Sequence, residues 1–97
     1  MARSNHTLCV ITPDGETTFT PGKADLKALQ AAVGGYIATA ELIHGIEGYV
    51  DDEVLLKGDP QLNVIASLLS KYTQQFYGTW AGNLTDRQVE KMKSLVY

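Results

Sequence analysis

The side chains most suited to acid–base chemistry are two isolated histidines, His6 and His44. Histidine exchanges a proton near neutral pH, so it is the first residue to consider as a general base. His6 lies close to the N-terminus, His44 precedes Gly45 in a predicted turn, and neither belongs to a catalytic motif. We therefore interpret both as non-catalytic, with His44 exposed in its turn.

The acidic triplet Asp51-Asp52-Glu53 and the single cysteine, Cys9, are the other candidates for metal binding. Consecutive carboxylates point in different directions and rarely bind one ion without further ligands. We interpret the triplet as a solvated turn and predict neither a metal nor a cofactor. The sequence also lacks GxSxG, CxxC and HExxH motifs and any phosphate-binding glycine loop. We predict that the protein is not an enzyme; an unrecognised activity that uses His44 or the triplet is the minor alternative.

Aromatic side chains are the more suggestive group, because they can stack on a base or anchor a protein interface. Four of them fall in one short stretch, namely Tyr72, Phe76, Tyr77 and Trp80. Two interpretations stay open: Tyr72, Phe76 and Trp80 fill the core, or some of these rings bind a ligand. In an alternating strand, Tyr77 and Asn83 would face away from Trp80. Our candidate ligand-binding residues are Tyr36, Tyr77, Trp80 and Asn83.

The charge and the cysteine content of the chain limit its partners and its compartment. Eight Lys and Arg stand against eleven Asp and Glu, giving a formal net charge of -3, and the cations are scattered between Arg3 and Lys93. Binding to DNA needs cations clustered on one face, so we expect no direct DNA binding. The apolar run near the N-terminus is too short for a signal peptide or a membrane span. Because Cys9 has no cysteine partner in the chain, we expect a cytoplasmic protein without membrane contact.

Residue patterns in the first half predict a hairpin, a helix and a strand. Thr7–Thr12 is β-branched and apolar, and Glu16–Thr20 follows across a Pro-Asp-Gly turn, so the two predict a β-hairpin. Asp25–Val33 repeats apolar residues at helical spacing, and Gly34-Gly35 is a natural stop. The alternation within Tyr36–Ile43 predicts a central strand.

The second half is predicted to add short strands and the longest helix. Ile46–Val50 is interpreted as the antiparallel partner of the preceding strand, and Val54–Leu56 as a further short strand. From Asp59-Pro60 onward, apolar residues at spacings of three and four predict a helix that continues to Phe76 and covers the sheet. Phe76–Leu84 then alternates as a strand does.

The last helix is predicted to begin at a capping box. In Thr85-Asp86-Arg87-Gln88 the threonine accepts from a backbone amide and the glutamine reaches back to another, and Val89, Met92 and Val96 turn inward. Residues 1–97 are thus predicted to form a single α+β domain. Its small antiparallel or mixed sheet has four to five strands, with about three helices, in the order ββα-ββ-αβα. We expect the helices to lie on one face of the sheet.

One stretch of the sequence resembles a known family. Leu26–Ile37 reads LKALQAAVGGYI and is similar to the LxALQxxVGGYIE signature of a small family of phage- and plasmid-borne domains of unknown function. The similarity continues at Asp51–Glu53, at Gly58–Asn63 and at Gly78–Gly82, while Ala38 stands where an acidic residue is usual. The resemblance implies no catalytic residues. Its setting implies an accessory protein of a virus or mobile element in the bacterial cytoplasm.

These observations lead to one main functional hypothesis and one alternative. We expect a non-catalytic phage accessory protein that binds and neutralises a host component, either a bacterial antiviral-defence protein or its nucleotide messenger. The messenger version needs stacking rings and cations, for which Lys57, Lys71 and Arg87 are candidates if the fold gathers them. It also implies a homo-oligomer, because one small domain offers little concave surface. The alternative is a structural or regulatory protein-interaction module of the phage with no anti-defence role.

Overall fold

The computed structural model describes residues 6–96. Residues 1–5 and Tyr97 lie outside the described residues, and so does the part of the N-terminal segment, up to residue 5, that was considered as a possible signal peptide. The described chain has five strands, β1 (His6–Ile11), β2 (Thr17–Pro21), β3 (Ile37–Thr39), β4 (Tyr49–Asp51) and β5 (Trp80–Thr85). Its α-helices are α1 (Leu26–Val33), α2 (Val64–Leu68) and α3 (Asp86–Val96). Two 3₁₀ turns lie at Ile43–Gly45 and Val54–Leu56.

The strands form one antiparallel sheet in the order β2-β1-β5-β4-β3. Near its middle, Cys9 of β1 lies between Phe19 of β2 and Gly82 of β5. The pairing of β4 with β5 rests on the single residue pair Tyr49 and Ala81. The prediction of an α+β fold, with a small antiparallel or mixed sheet of four to five strands and about three helices, is confirmed: the sheet is antiparallel with five strands, and there are three α-helices in the described chain.

Both faces of the sheet are covered, because β1 places apolar side chains on each side. Cys9 and Ile11 point into the main core, against which α3 packs, whereas Leu8 and Val10 pack in a second cluster with α1. The prediction that the helices lie on one face is therefore wrong, since a strand that is apolar at consecutive positions needs cover on both faces. The buried residues of the main core are Cys9, Ile11, Ala40, Leu42, Ile46, Ala66, Phe76, Trp80, Leu84 and Met92.

Helix α1 has the boundaries that the sequence predicted. Asp25 Oδ1 accepts a hydrogen bond from the Ala28 backbone N–H at 2.8 Å, which caps the start of the helix. Gly34 adopts a left-handed conformation with φ of 91°, and its N–H donates to Gln30 O at 2.9 Å. Only Leu26 departs from the expected inner face, since it is 57% exposed.

Helix α3 also begins where predicted. The Thr85 backbone N–H donates to Gln88 Oε1 at 3.0 Å, and the Gln88 N–H donates to Thr85 Oγ1 at 3.3 Å. This is the reciprocal capping box that the residue types indicated. Met92 is buried, and Val89 and Val96 pack against the main core, so the predicted inner face is confirmed.

The long helix predicted over Asp59–Phe76 is mostly wrong. Only α2 is helical, and Asn63 rather than Asp59 is its N-cap residue, with Oδ1 accepting a first-turn N–H at 3.0 Å. After the helix ends, the chain turns back through Thr73, whose φ is 54°, and Ser67 Oγ accepts the backbone N–H of Phe76 at 2.8 Å, which holds the returning chain beside α2.

Three strands are shorter than the sequence predicted. The predicted strands Tyr36–Ile43, Ile46–Val50 and Phe76–Leu84 correspond to β3, β4 and β5, respectively. Before β5, Tyr77 pairs with Leu62 in an isolated bridge, so the sheet pairing starts later. The strand predicted at Val54–Leu56 is wrong. It is a 3₁₀ turn, because the N–H of Leu56 donates locally to Glu53 O at 3.0 Å instead of to a neighbouring strand.

Candidate functional site

An open groove of about 360 Å³, here called the α1 groove, lies beside the C-terminal end of α1. Its walls include Gly34 at the end of α1, Asp51 of the acidic triplet, the segment Asp59–Gln61 and the stretch that starts at Gly78. The fold thus brings together all the segments on which the family resemblance was based. The polar groups around it come from Gly34, Asp51, Lys57, Asp59, Gln61 and Thr79.

The Gly34-Gly35 pair shapes one wall of the α1 groove. Gly34 ends α1 in a left-handed conformation that residues with a Cβ rarely adopt. Gly35 leaves room for Asp51, because a Cβ added there would lie 2.9 Å from Asp51 Oδ1. The second glycine is therefore required for the close approach of a carboxylate, and not only for the end of the helix.

Asp51 is a buried carboxylate whose partners are all in place. It is 4% exposed, pairs with the Lys57 ammonium, and accepts the Glu53 backbone N–H at 2.9 Å. Burial raises the pKa of Asp51, but hydrogen bonds from Lys57 and Glu53, together with the Lys57 charge, outweigh it and leave the pKa below its usual value. The Lys57 Nζ also donates to Gly34 O at 2.7 Å. Asp51 and Lys57 thus fasten β4 to the end of α1.

Asn63 fixes the opposite wall of the groove. Its side chain is fully buried, and Nδ2 donates to Ile11 O and to Gly78 O, both at 2.9 Å. Its Oδ1 caps α2, so one amide joins β1, α2 and the segment before β5. The sequence analysis placed Asn63 inside a helix; its preference for the N-cap position, directly before an apolar run, was the signal that could have found it.

A family model described as a domain of unknown function, DUF3846, matches residues 7–95. This chain belongs to the DUF3846 family. The expectation of a domain of unknown function is thereby confirmed. Comparison with curated proteins and with solved structures gives no match.

Two of the predicted contact residues of the DUF3846 domain are accessible. Tyr36 is 70% exposed at the start of β3. Tyr77 is half-buried, and its hydroxyl donates to Gln75 Oε1 at 3.4 Å. A ligand role for these two tyrosines stays a prediction.

Trp80 belongs to the core and not to the surface. It is fully buried, and its indole Nε1 donates to Ala40 O at 2.8 Å. The sequence left open whether Trp80 fills the core or binds a ligand, and the structure shows that it fills the core. We no longer include it among the candidate contacts.

Asn83 is engaged in holding the backbone. It lies on the face of β5 opposite Trp80, as the alternation predicted, but its Oδ1 accepts the Ala24 N–H at 2.8 Å and its Nδ2 donates to Ala24 O at 3.0 Å. The side-chain amide therefore forms the kind of paired hydrogen bonds with the Ala24 backbone that a neighbouring strand would form. With these bonds in place, Asn83 has a structural role that was not predicted.

The fold does not gather the three cations considered for a nucleotide. Lys57 is paired with Asp51, and Lys71 Nζ lies 3.1 Å from Glu41 Oε2. Arg87 lies elsewhere, at the start of α3. In this structure the three side chains do not form one phosphate-binding cluster.

Within residues 6–96, no group of three or more His, Cys, Asp or Glu side chains is arranged to hold a metal ion. Cys9 is buried, and desolvation raises the pKa of its thiol to about 12. Thiolate chemistry at Cys9 is suppressed by this burial. In the same described part of the chain, no helix combines the length and the apolar character needed to cross a bilayer.

A second candidate site is an exposed apolar area around α2, here called the α2 surface. Leu68 is 78% exposed and Val64 52%, and both line an open groove of about 360 Å³ with Leu62. Leu68 also lines an adjoining cavity of about 170 Å³ with Leu95 at the end of α3. The α2 surface was not predicted from the sequence, because in the predicted long helix Leu62 and its neighbours would face the sheet.

Proposed function

We propose that this DUF3846 domain is a non-catalytic binding protein of a phage or other mobile element. In this proposal it binds and neutralises a host protein of an antiviral defence system. The α2 surface is the observation that supports the proposal most. It exposes Leu62, Val64, Leu68 and Leu95 around two adjoining grooves. Contiguous exposed apolar area of this kind is typical of protein-interaction sites.

The chemistry around the α2 surface favours a protein over a nucleotide as the bound component. The polar residues that line the larger groove are uncharged, namely Ser67, Thr73, Gln74 and Gln75. Protein interfaces are depleted in charge at their centre, whereas the phosphates of a nucleotide need cations. Of the proposed cations, Lys57 and Lys71 already have carboxylate partners.

Three observations support a role in binding rather than catalysis. The Asp51 carboxylate is taken up by Lys57 and by a backbone N–H. Cys9 is buried, with its thiol pKa raised to about 12. His44 is exposed in a 3₁₀ turn, and within residues 6–96 no carboxylate is hydrogen-bonded to it to orient it as a general base.

The biological setting in this proposal comes from the resemblance of Leu26–Ile37 to phage- and plasmid-borne domains. We accordingly propose that the protein acts in the cytoplasm of a bacterial host, where it meets the defence protein. A homo-oligomer in which a second copy covers the α2 surface is a competing arrangement. The same substitutions distinguish the two.

The test uses bacterial strains that differ only in carrying an antiviral defence system. The wild-type protein is expected to raise the plating efficiency of a phage on the defended strain. Leu68→Lys is expected to abolish this effect, because it places a charge at the centre of an apolar contact, where single residues contribute about 2 kcal/mol or more. Leu26→Lys is the matched control, since Leu26 is also exposed but lies on α1.

Two outcomes would contradict the proposal in different ways. An equal effect on strains with and without defence would favour the structural or regulatory phage module instead. A change from oligomer to monomer in the native mass of Leu68→Lys, with Leu26→Lys unchanged, would show that the α2 surface is covered by a second copy.

A further inference from the structure

A small pocket at the start of α3 brings together three basic side chains. The cavity has a volume of about 210 Å³ and lies between α3 and the 3₁₀ turn at Ile43–Gly45. Arg87 and Lys91, one helical turn apart, line it with His44 opposite, and no lining residue is acidic. This concentration of positive charge contrasts with the formal net charge of -3 for the whole chain.

The charges of this pocket have no ion-pair partner among residues 6–96. Within residues 6–96, Lys57 and Lys71 are the lysines with ion pairs, and neither Arg87 nor Lys91 forms one. The acidic residues nearest along the chain, Asp86 and Glu90, do not line the cavity. Arg87 and Lys91 repel each other weakly, because they are exposed cations four positions apart on one face of α3. Helix stability therefore does not explain their arrangement.

The position of Arg87 also opposes helix stability. It lies in the first turn of α3, where the helix dipole is positive and an acidic side chain is favoured. An anion bound beside Arg87 would offset this unfavourable interaction.

Hydrogen bonds connect the two sides of the pocket. Gln88 is held by Thr85 through the capping box, and its Nε2 donates to Gly45 O at 3.4 Å. This contact joins the helix to the turn that presents His44. The backbone of His44 is left-handed there, with φ of 63° and ψ of 25°.

We propose that this pocket binds a phosphate-class oxyanion. The Arg87 guanidinium offers a fork of donors that matches two oxygens, and Lys91 adds a point charge. His44 and the second Nε2 hydrogen of Gln88 supply further donors. Among the described residues, the cavity is lined by no Phe, Tyr or Trp side chain, and its donors match the oxygens of a phosphate group. The phosphate comes either from inorganic phosphate or from a small phosphate ester.

The test is a titration of ¹⁵N-labelled full-length protein, followed by its backbone and arginine side-chain N–H signals at constant ionic strength. One arm uses inorganic phosphate and the other adenosine monophosphate. We expect saturable shifts centred on Arg87, Gln88 and Lys91. Arg87→Gln should weaken binding about tenfold, which is the effect of losing one charge-assisted hydrogen bond.

Lys27→Gln is the matched control, because Lys27 is an exposed cation on α1 and its loss changes the net charge equally. Binding in either arm that needs Arg87 but not Lys27 supports the proposal, and comparison of the arms identifies the source of the phosphate. Shifts that do not saturate in either arm, or that weaken equally in both variants, overturn it. Arg87 is exposed, so unfolding of the variant is not expected, and its melting temperature checks this.

Discussion

At the scale of single residues, Trp80 shows how strongly one side chain constrains its neighbours. Its ring fills the space beside Gly48, and a Cβ added to Gly48 would lie 2.0 Å from Trp80 Cζ2. On β5 itself, a Cβ at Gly82 would lie 2.6 Å from the backbone oxygen of Glu47 and 2.7 Å from Trp80 Cη2. Both glycines are therefore part of the packing around the indole.

This packing predicts the effect of Gly48→Ala. The new methyl group has to displace the buried indole, and we expect a loss of about 1–3 kcal/mol of unfolding free energy, the usual range for overpacking. Chemical denaturation measures it. Gly58→Ala is the control, because a Cβ there meets no atom within 4 Å. Equal stability of the two variants would contradict the position of the Trp80 ring.

At the scale of elements, α2 is a short helix that depends on tertiary hydrogen bonds. Five residues are too few for a stable isolated helix, so its position is set by contacts with the rest of the chain. Asn63 supplies the main ones, through its bonds to Ile11 O and Gly78 O. The exposed α2 surface is thus presented on an element that one buried amide holds in place.

We predict that Asn63→Ala destabilises the protein by about 2–4 kcal/mol, since it removes an N-cap and takes the side-chain donor away from Ile11 O and from the partly buried Gly78 O. Thermal unfolding measures this loss. Gln61→Ala is the control: Gln61 is exposed, and its backbone oxygen keeps the bond from Gly78 N–H after the substitution. A similar melting temperature for both variants would show that Asn63 does not hold the wall.

Elements with local signals were predictable from the sequence, and those that depend on distant contacts were not. The boundaries of α1 follow from Asp25 and Gly34, and the start of α3 follows from its capping box, because these bonds join residues three or four positions apart. The return of the chain beside α2 depends on Ser67 bonding to Phe76, which no local periodicity reports. The roles of Asn63 and Lys57 were missed for the same reason, since Asn63 bonds to Ile11 O and Gly78 O and Lys57 bonds to Gly34 O, all far along the chain.

At the scale of the whole molecule, the buried Asp51 links stability to pH. Its pKa in the folded protein is lowered, so the ionised form stabilises the fold at neutral pH. This contribution is present above the unfolded-state pKa and is lost as the pH falls through the folded-state pKa. Acid should therefore loosen the joint between β4 and the end of α1.

Asp51→Asn tests this linkage. We expect the variant to be less stable by about 1–2 kcal/mol at pH 7, below the range for fully buried pairs because Lys57 is half exposed. Its melting temperature should also fall less than that of the wild type on acidification. The neighbouring Asp52→Asn is the control, because that side chain is exposed. An unchanged pH dependence in Asp51→Asn would assign the acid sensitivity to other groups.

The strand order also has a consequence for synthesis of the protein on the ribosome. β1 is translated first and β5 after every other strand, yet the two lie side by side in the sheet. Such distant pairing slows folding, because a long loop must close before the contacts form. Until β5 has emerged, the β1 edge of the β1–β2 hairpin has no partner strand, and the apolar side chains of β1 stay exposed to solvent. Chaperones that bind nascent chains are therefore expected to bind this hairpin during translation and to dissociate once β5 has been synthesised.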